Sequence, residues 1–211
     1  SIDKAISLLG LAQVRTRALA LCLGHAFPDA PGLDRLAFWR ASMATATYAQ
    51  WLADKLGPDG PTAWLCGLML RLGELQIATH EPALIAHIES LPCAPGERWQ
   101  RQQQLLGATE CELTAELARR WDFPPTMVSA MAACALPHAV APMDSLAAVL
   151  HLAGWLSDAS QATGQALDTS LDACIAALPP ELMQALGLDA PALAQQRPDA
   201  SSFADLARLM A

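Results

Sequence analysis

The chain has 211 residues, 53% of them hydrophobic and 16% charged, with a net charge of −8. That balance can bury a sizeable core and excludes a largely disordered chain. The negative charge disfavours broad nucleic-acid binding and docking on anionic lipid, both of which draw on a surplus of Lys and Arg.

Ser1 to Ala5 show no basic region followed by an apolar stretch, so no signal peptide is expected. The chain does not begin with Met, and its natural beginning is expected to lie upstream. The periodicity is helical nearly throughout, and the Val-Ile-Thr alternation of strands is missing. Residues 1–9 read as a short helix stopped by Gly10, and residues 11–25 as a second. Pro28, Pro31 and Gly32 mark a loop, residues 33–56 a long helix, and Gly57 to Gly60 its end. Pro61 opens the next helix, where proline is tolerated. It is apolar on all faces from Ala63 to Leu70 and continues to Glu74, so it is placed at the centre of the core. Its apolar run is far short of the roughly 18–20 residues that span a bilayer.

Residues 81–90 read as a shorter helix with Pro82 in its first turn, and residues 92–96 as a loop. Residues 97–106 are rich in Gln and Arg and read as a surface helix. Thr109 and Glu112 have capping-box spacing before a helix over 113–121. Pro124 and Pro125 start a helix to about Ala135; Pro137 and Pro142 close that section. Residues 145–159 form an apolar helix, 161–169 a polar turn, and two or three short helices follow.

The cysteines at 22, 66, 93, 111, 134 and 174 form no C-x-x-C pair and are read as buried, reduced core residues of a cytoplasmic protein. His80-Glu81 begins like a zinc-protease motif, but Leu84 stands where the second His belongs. Trp39, Trp51, Trp64, Trp121 and Trp155 lie on apolar faces and are expected in the core. Trp99, among Arg and Gln residues, is the tryptophan expected at a partner contact, with burial of its ring as the alternative.

Four stretches together resemble one family. Residues 5–10 (AISLLG) look like its A-I-x-x-L-G, and residues 38–42 (FWRAS) like its F-W-x-x-S. Residues 64–73 (WLCGLMLRLG) look like the G-L-L-H-D-I-G segment of HD phosphohydrolases, and residues 121–124 (WDFP) like W-x-x-P. In this order they resemble the HDOD domain, a branch of the HD superfamily. The resemblance implies an all-α, compact multi-helix HD-like domain over 1–211. Residues 1–137 would be the HD-related core and 138–211 a C-terminal extension, with further family helices expected before Ser1.

HD enzymes hold metal with His and Asp from several helices, and the metal activates water against a phosphate ester. Carried over by position, the adjacent His and Asp fall on Leu70 and Arg71. A His before Ser falls on Ala41, a His-His pair on Cys134 and Ala135, and a His after Gly107 on Glu110. Leu70 has no donor atom, and Arg71 offers only hydrogen-bond donors and a positive charge. The resemblance therefore implies a degenerate site with no catalytic residue, no metal ligand set and no cofactor. Arg71 either pairs with Glu74 three residues on or contacts an anion or a partner. The function implied is non-catalytic bacterial signalling through protein contacts. The alternative is a sensor of a small anionic, nucleotide-like ligand in the degenerate site. The expected partner is a protein, a second copy of the chain among the candidates; nucleic acid and membrane are not expected.

Overall fold

The computed structural model describes residues 18, 21–24, 26–27, 30, 32–90, 96–139, 141–162, 167–196 and 198. The helices expected over 1–9 and 11–25 lie largely outside them, as do Cys93 and the segment beyond 198. Among the described residues there is no strand. The helices are α1 (Arg35–Leu56), α2 (Gly60–Met69), α3 (Leu72–His80), α4 (Pro82–Ser90), α5 (Glu97–Leu106) and α6 (Glu110–Arg120). They are followed by α7 (Pro125–Ala133), α8 (Ser145–Ala162), α9 (Leu167–Ala176), α10 (Pro180–Ala185) and α11 (Ala190–Gln195).

Local chemistry sets the boundaries. Asp34 caps α1 by accepting the Ala37 N–H, and Asp59 caps α2 through Thr62. The capping box of Thr109 and Glu112 is formed in both directions and starts α6 at Glu110, three residues before the expected Leu113. Gly57 ends α1 in the left-handed conformation at φ 93°. α7 stops at Ala133 rather than near Ala135, and α8 runs on to Ala162 into the expected polar turn.

One core runs from Phe38 on α1 to Leu193 on α11. α2 lies at its centre: Ala63, Trp64, Cys66, Leu68, Met69 and Leu70 are buried. Gly67 lets α2 approach the α1 backbone, because a Cβ there would come within 2.9 Å of the Thr45 carbonyl oxygen. α8 packs along α1, with Ala147 to Leu150, Leu152, Ala153 and Leu156 fully buried.

Several expectations are corrected. The helix expected from 63 to 74 is two helices, because the chain turns at Leu70-Arg71, where Arg71 has φ −92° and ψ 2°. The Thr114 hydroxyl fastens the turn, accepting the Gly73 N–H at 2.8 Å and donating to the Leu70 carbonyl at 3.0 Å. α5 lies at the surface as expected, with Glu97, Gln100, Gln103, Gln104 and Leu105 exposed, but its other face is not solvated: Arg98, Trp99 and Gln102 are buried. Trp121 is 43% exposed instead of in the core, since it sits in the turn after α6. Cys22 is exposed, whereas Cys66, Cys111, Cys134 and Cys174 are buried free thiols.

Candidate functional site

The α2–α3 turn brings Arg71 and Glu74 to the inside of the molecule. Gly73 makes this possible by seating α3 on the first turn of α6; a Cβ there would lie 2.3 Å from the Glu110 carbonyl oxygen. Arg71 Nε donates to Glu74 Oε2 at 2.9 Å, and its Nη1 stands 3.7 Å from Asp158 Oδ1. Arg98 enters from α5. Its Nη2 lies 3.0 Å from Asp158 and 3.3 Å from Glu110, and its Nη1 lies 3.4 Å from Glu74 and 3.6 Å from Glu89. Two guanidiniums thus face four carboxylates from α3, α4, α6 and α8.

Glu110 is fully buried and saturated. Its carboxylate accepts from Trp99 Nε1 at 3.0 Å and Gln102 Nε2 at 3.1 Å, while its backbone N–H donates to Gln102 Oε1 at 2.8 Å. The Trp99 ring lies on Gly154, where a Cβ would come within 2.8 Å of it, and is 5.2 Å from the His151 ring. His151 Nδ1 is 2.8 Å from the Cys134 carbonyl oxygen. The Ala41 carbonyl accepts from Ser157, next to Asp158, at 3.1 Å. Ala135 is half-buried against the core.

Four of the residues singled out by resemblance, Leu70, Arg71, Glu110 and Cys134, therefore gather around one buried network. Arg71 and Glu110 are joined through Arg98, Leu70 is tied to α6 by Thr114, and Cys134 touches Cys111 beside Glu110. Of the alternatives left open for two residues, the structure takes the buried one, including the Arg71–Glu74 pair. Trp99 is 3% exposed and is not a surface contact, because its apolar neighbours come from α8, far away in sequence. Arg71 is 6% exposed and turned towards Glu74 and Asp158 rather than towards solvent.

Burial and charge shape the ionisation of this network. Burial pushes Glu74 well above the ordinary carboxylate range, with Arg71 opposing and Glu110 assisting. Burial likewise raises Glu89, and raises Asp158 to about 7 against the pull of Arg71. Burial disfavours the charge of Arg71, but Glu74, Glu110, Asp158 and Glu89 outweigh it and hold the guanidinium protonated.

The donor set does not fit an HD-type metal centre. By the resemblance a guanidinium stands where an Asp ligand is expected, and the nearby carboxylates are bound to Arg71, Arg98, Trp99 and Gln102. Among the described residues no group of three or more His, Cys, Asp or Glu is arranged to hold a metal ion. The chain does offer an apolar groove of about 370 Å³, but elsewhere: between α3 and α6, along Ile77, Leu106, Leu113 and Leu117.

Sequence reasoning missed Arg98, Gln102, Asp158, Glu89, Cys111 and His151. One signal was available. Asp158 is the only acid in the apolar stretch 145–159 and needs a partner if its face is buried.

The chain matches the sequence model of the HDOD domain over residues 1–137. A comparison with curated proteins found no match. Among solved structures, a Shewanella amazonensis protein provisionally classed as a phosphohydrolase is 26% identical, with a TM-score of 0.77, covering 100% of this chain and 77% of that one. A Marinobacter aquaeolei protein provisionally classed in signal transduction is 23% identical, with a TM-score of 0.69, covering 96% of this chain and 46% of its own length; at that identity it shows the fold alone. The MmoQ response regulator from Methylococcus capsulatus is 25% identical, with a TM-score of 0.52, covering 90% of this chain and 76% of that one.

Proposed function

The chain belongs to the HDOD domain family, and on that premise we propose that it is a non-catalytic signalling module acting through protein contacts. The observation that carries this reading is the filling of the site. At the positions where HD enzymes place metal ligands, this chain has Leu70 and a buried Arg71 whose charge is spent on Glu74 and Asp158. Of the carboxylate oxygens in that cluster Asp158 Oδ2 alone is buried without a hydrogen-bond partner, and among the described residues no group of three or more His, Cys, Asp or Glu is arranged to hold a cation. The response regulator among its structural relatives supports the signalling assignment.

The sensor reading is weaker on the same geometry. A small anion at Arg71 would have to displace Glu74 or Asp158 and leave a carboxylate buried without its partner, which is costly. Contact chemistry is better supplied at the surface. Trp121 is 43% exposed, its ring centroid 6.3 Å from that of Phe27 and 6.5 Å from that of Phe123. Exposed aromatic groups of this kind carry much of the energy of protein interfaces.

In-cell cross-linking followed by mass spectrometry tests the proposal. It should yield one reproducible protein partner in stoichiometric amount, and Trp121→Ala should reduce that adduct at least tenfold without lowering the melting temperature. If no such partner forms, while a phosphate compound raises the melting temperature of wild type but not of Arg71→Ala, the sensor reading replaces this one.

A further inference from the structure

Beside the charge network two thiols meet. Cys111 is the second residue of α6, next to Glu110, and Cys134 caps the C-terminal end of α7. Their Sγ atoms are 2.7 Å apart, about 0.7 Å beyond the ~2.05 Å of a disulfide bond. Both residues are fully buried, and packed helices hold both backbones in place. We propose that Cys111 and Cys134 are a redox modification site, joining as a reversible intramolecular disulfide that ties α6 to α7.

Hydrogen peroxide suffices as the oxidant. One thiol loses its proton and attacks a peroxide oxygen; the O–O bond breaks, giving a sulfenic acid and one water. The second sulfur then attacks the sulfenic sulfur, the S–O bond breaks, and a second water leaves. The pair is oxidised by two electrons, and one peroxide is reduced to two waters.

Burial governs the rate. It raises the Cys111 thiol well above its ordinary range, so little thiolate is present at neutral pH and oxidation is slow until α6 and α7 part locally. Burial also pushes the neighbouring Cys66 thiol up to about 12, which makes it a poor competitor. Once formed, the bridge closes the loop from 111 to 134 and restricts the unfolded chain, so the oxidised protein is the more stable form.

The test is peroxide treatment of the native full chain, then alkylation in denaturant and peptide mapping. Exposed Cys22 reports that the oxidant was effective. The expected result is a linked pair of peptides carrying Cys111 and Cys134, lighter than their sum by two hydrogens and released by dithiothreitol. The melting temperature should rise on oxidation and fall back on reduction, and Cys134→Ser should abolish both the link and the rise. The wild-type map decides the matter even if that variant folds poorly. The proposal is overturned if Cys22 is oxidised while Cys111 and Cys134 still alkylate fully. It is equally overturned if either reaches sulfinic acid unlinked or is joined to a different cysteine.

Discussion

Arg71 and Arg98 face Glu74, Glu89, Glu110 and Asp158, an excess of two negative charges when every group is ionised. Charges so buried are tolerated only because each has a partner, and removing one partner strands another. Arg71→Ala should therefore cost about 3–5 kcal/mol in equilibrium denaturation; a loss under about 1 kcal/mol would mean that the guanidinium holds nothing in place. The excess also links stability to pH. Asp158 rises from an ordinary value near 4 to about 7, so the folded state binds its proton more tightly than the unfolded state. Its contribution is full below the ordinary value and is lost as pH rises to about 7; Glu74 is shifted the same way. His151, lowered by burial, acts in the opposite sense below its ordinary value. Subtracting the Asp158→Asn stability profile from that of wild type isolates the effect. The difference should fall between pH 5 and 7.5, and a flat or rising difference would contradict it. At this scale the sequence was partly legible: Arg71 and Glu74, three residues apart, announce a possible pair. Asp158 and Arg98 do not, because sixty residues separate them and only tertiary packing makes them neighbours.

At the scale of elements, caps and glycines carried most of the readable information. Thr109 and Glu112 mark a helix start by a local mechanism, and the structure uses both; Asp34 and Asp59 cap α1 and α2 in the same way, though the sequence reading did not single them out. The break between α2 and α3 was not readable, since apolar periodicity continues straight through Leu70 and Leu72. Its cause lies on α6, where one Thr114 hydroxyl serves both Gly73 and Leu70. Thr114→Val keeps the side-chain shape and strands that N–H and that carbonyl in the core. The expected loss is about 2–4 kcal/mol, measured by denaturant titration; an unchanged midpoint would mean that the turn holds without the hydroxyl. α5 misleads on one face for a related reason: Arg98 and Gln102 read as solvated, yet they point at buried carboxylates, while Gln100, Gln103 and Gln104 are exposed.

For the whole molecule, the all-α class followed from periodicity and the family from four short motifs, most of them packing features. Gly67 and Gly73 keep their place in the resemblance because helices cross closely there, independently of catalysis. What the motifs could not reveal is what fills the positions that the resemblance aligns with HD metal ligands. The structure answers with a buried network of ion pairs and a thiol pair built by six helices, α3 to α6 and α8 around the charges and α7 beside them. The most direct test of this account is hydrolysis of bis(p-nitrophenyl) phosphate by the native chain with added Mn²⁺, run beside Glu74→Gln. The account predicts a rate equal to the protein-free background for both proteins. Manganese-dependent turnover by the native chain that Glu74→Gln abolishes would contradict it.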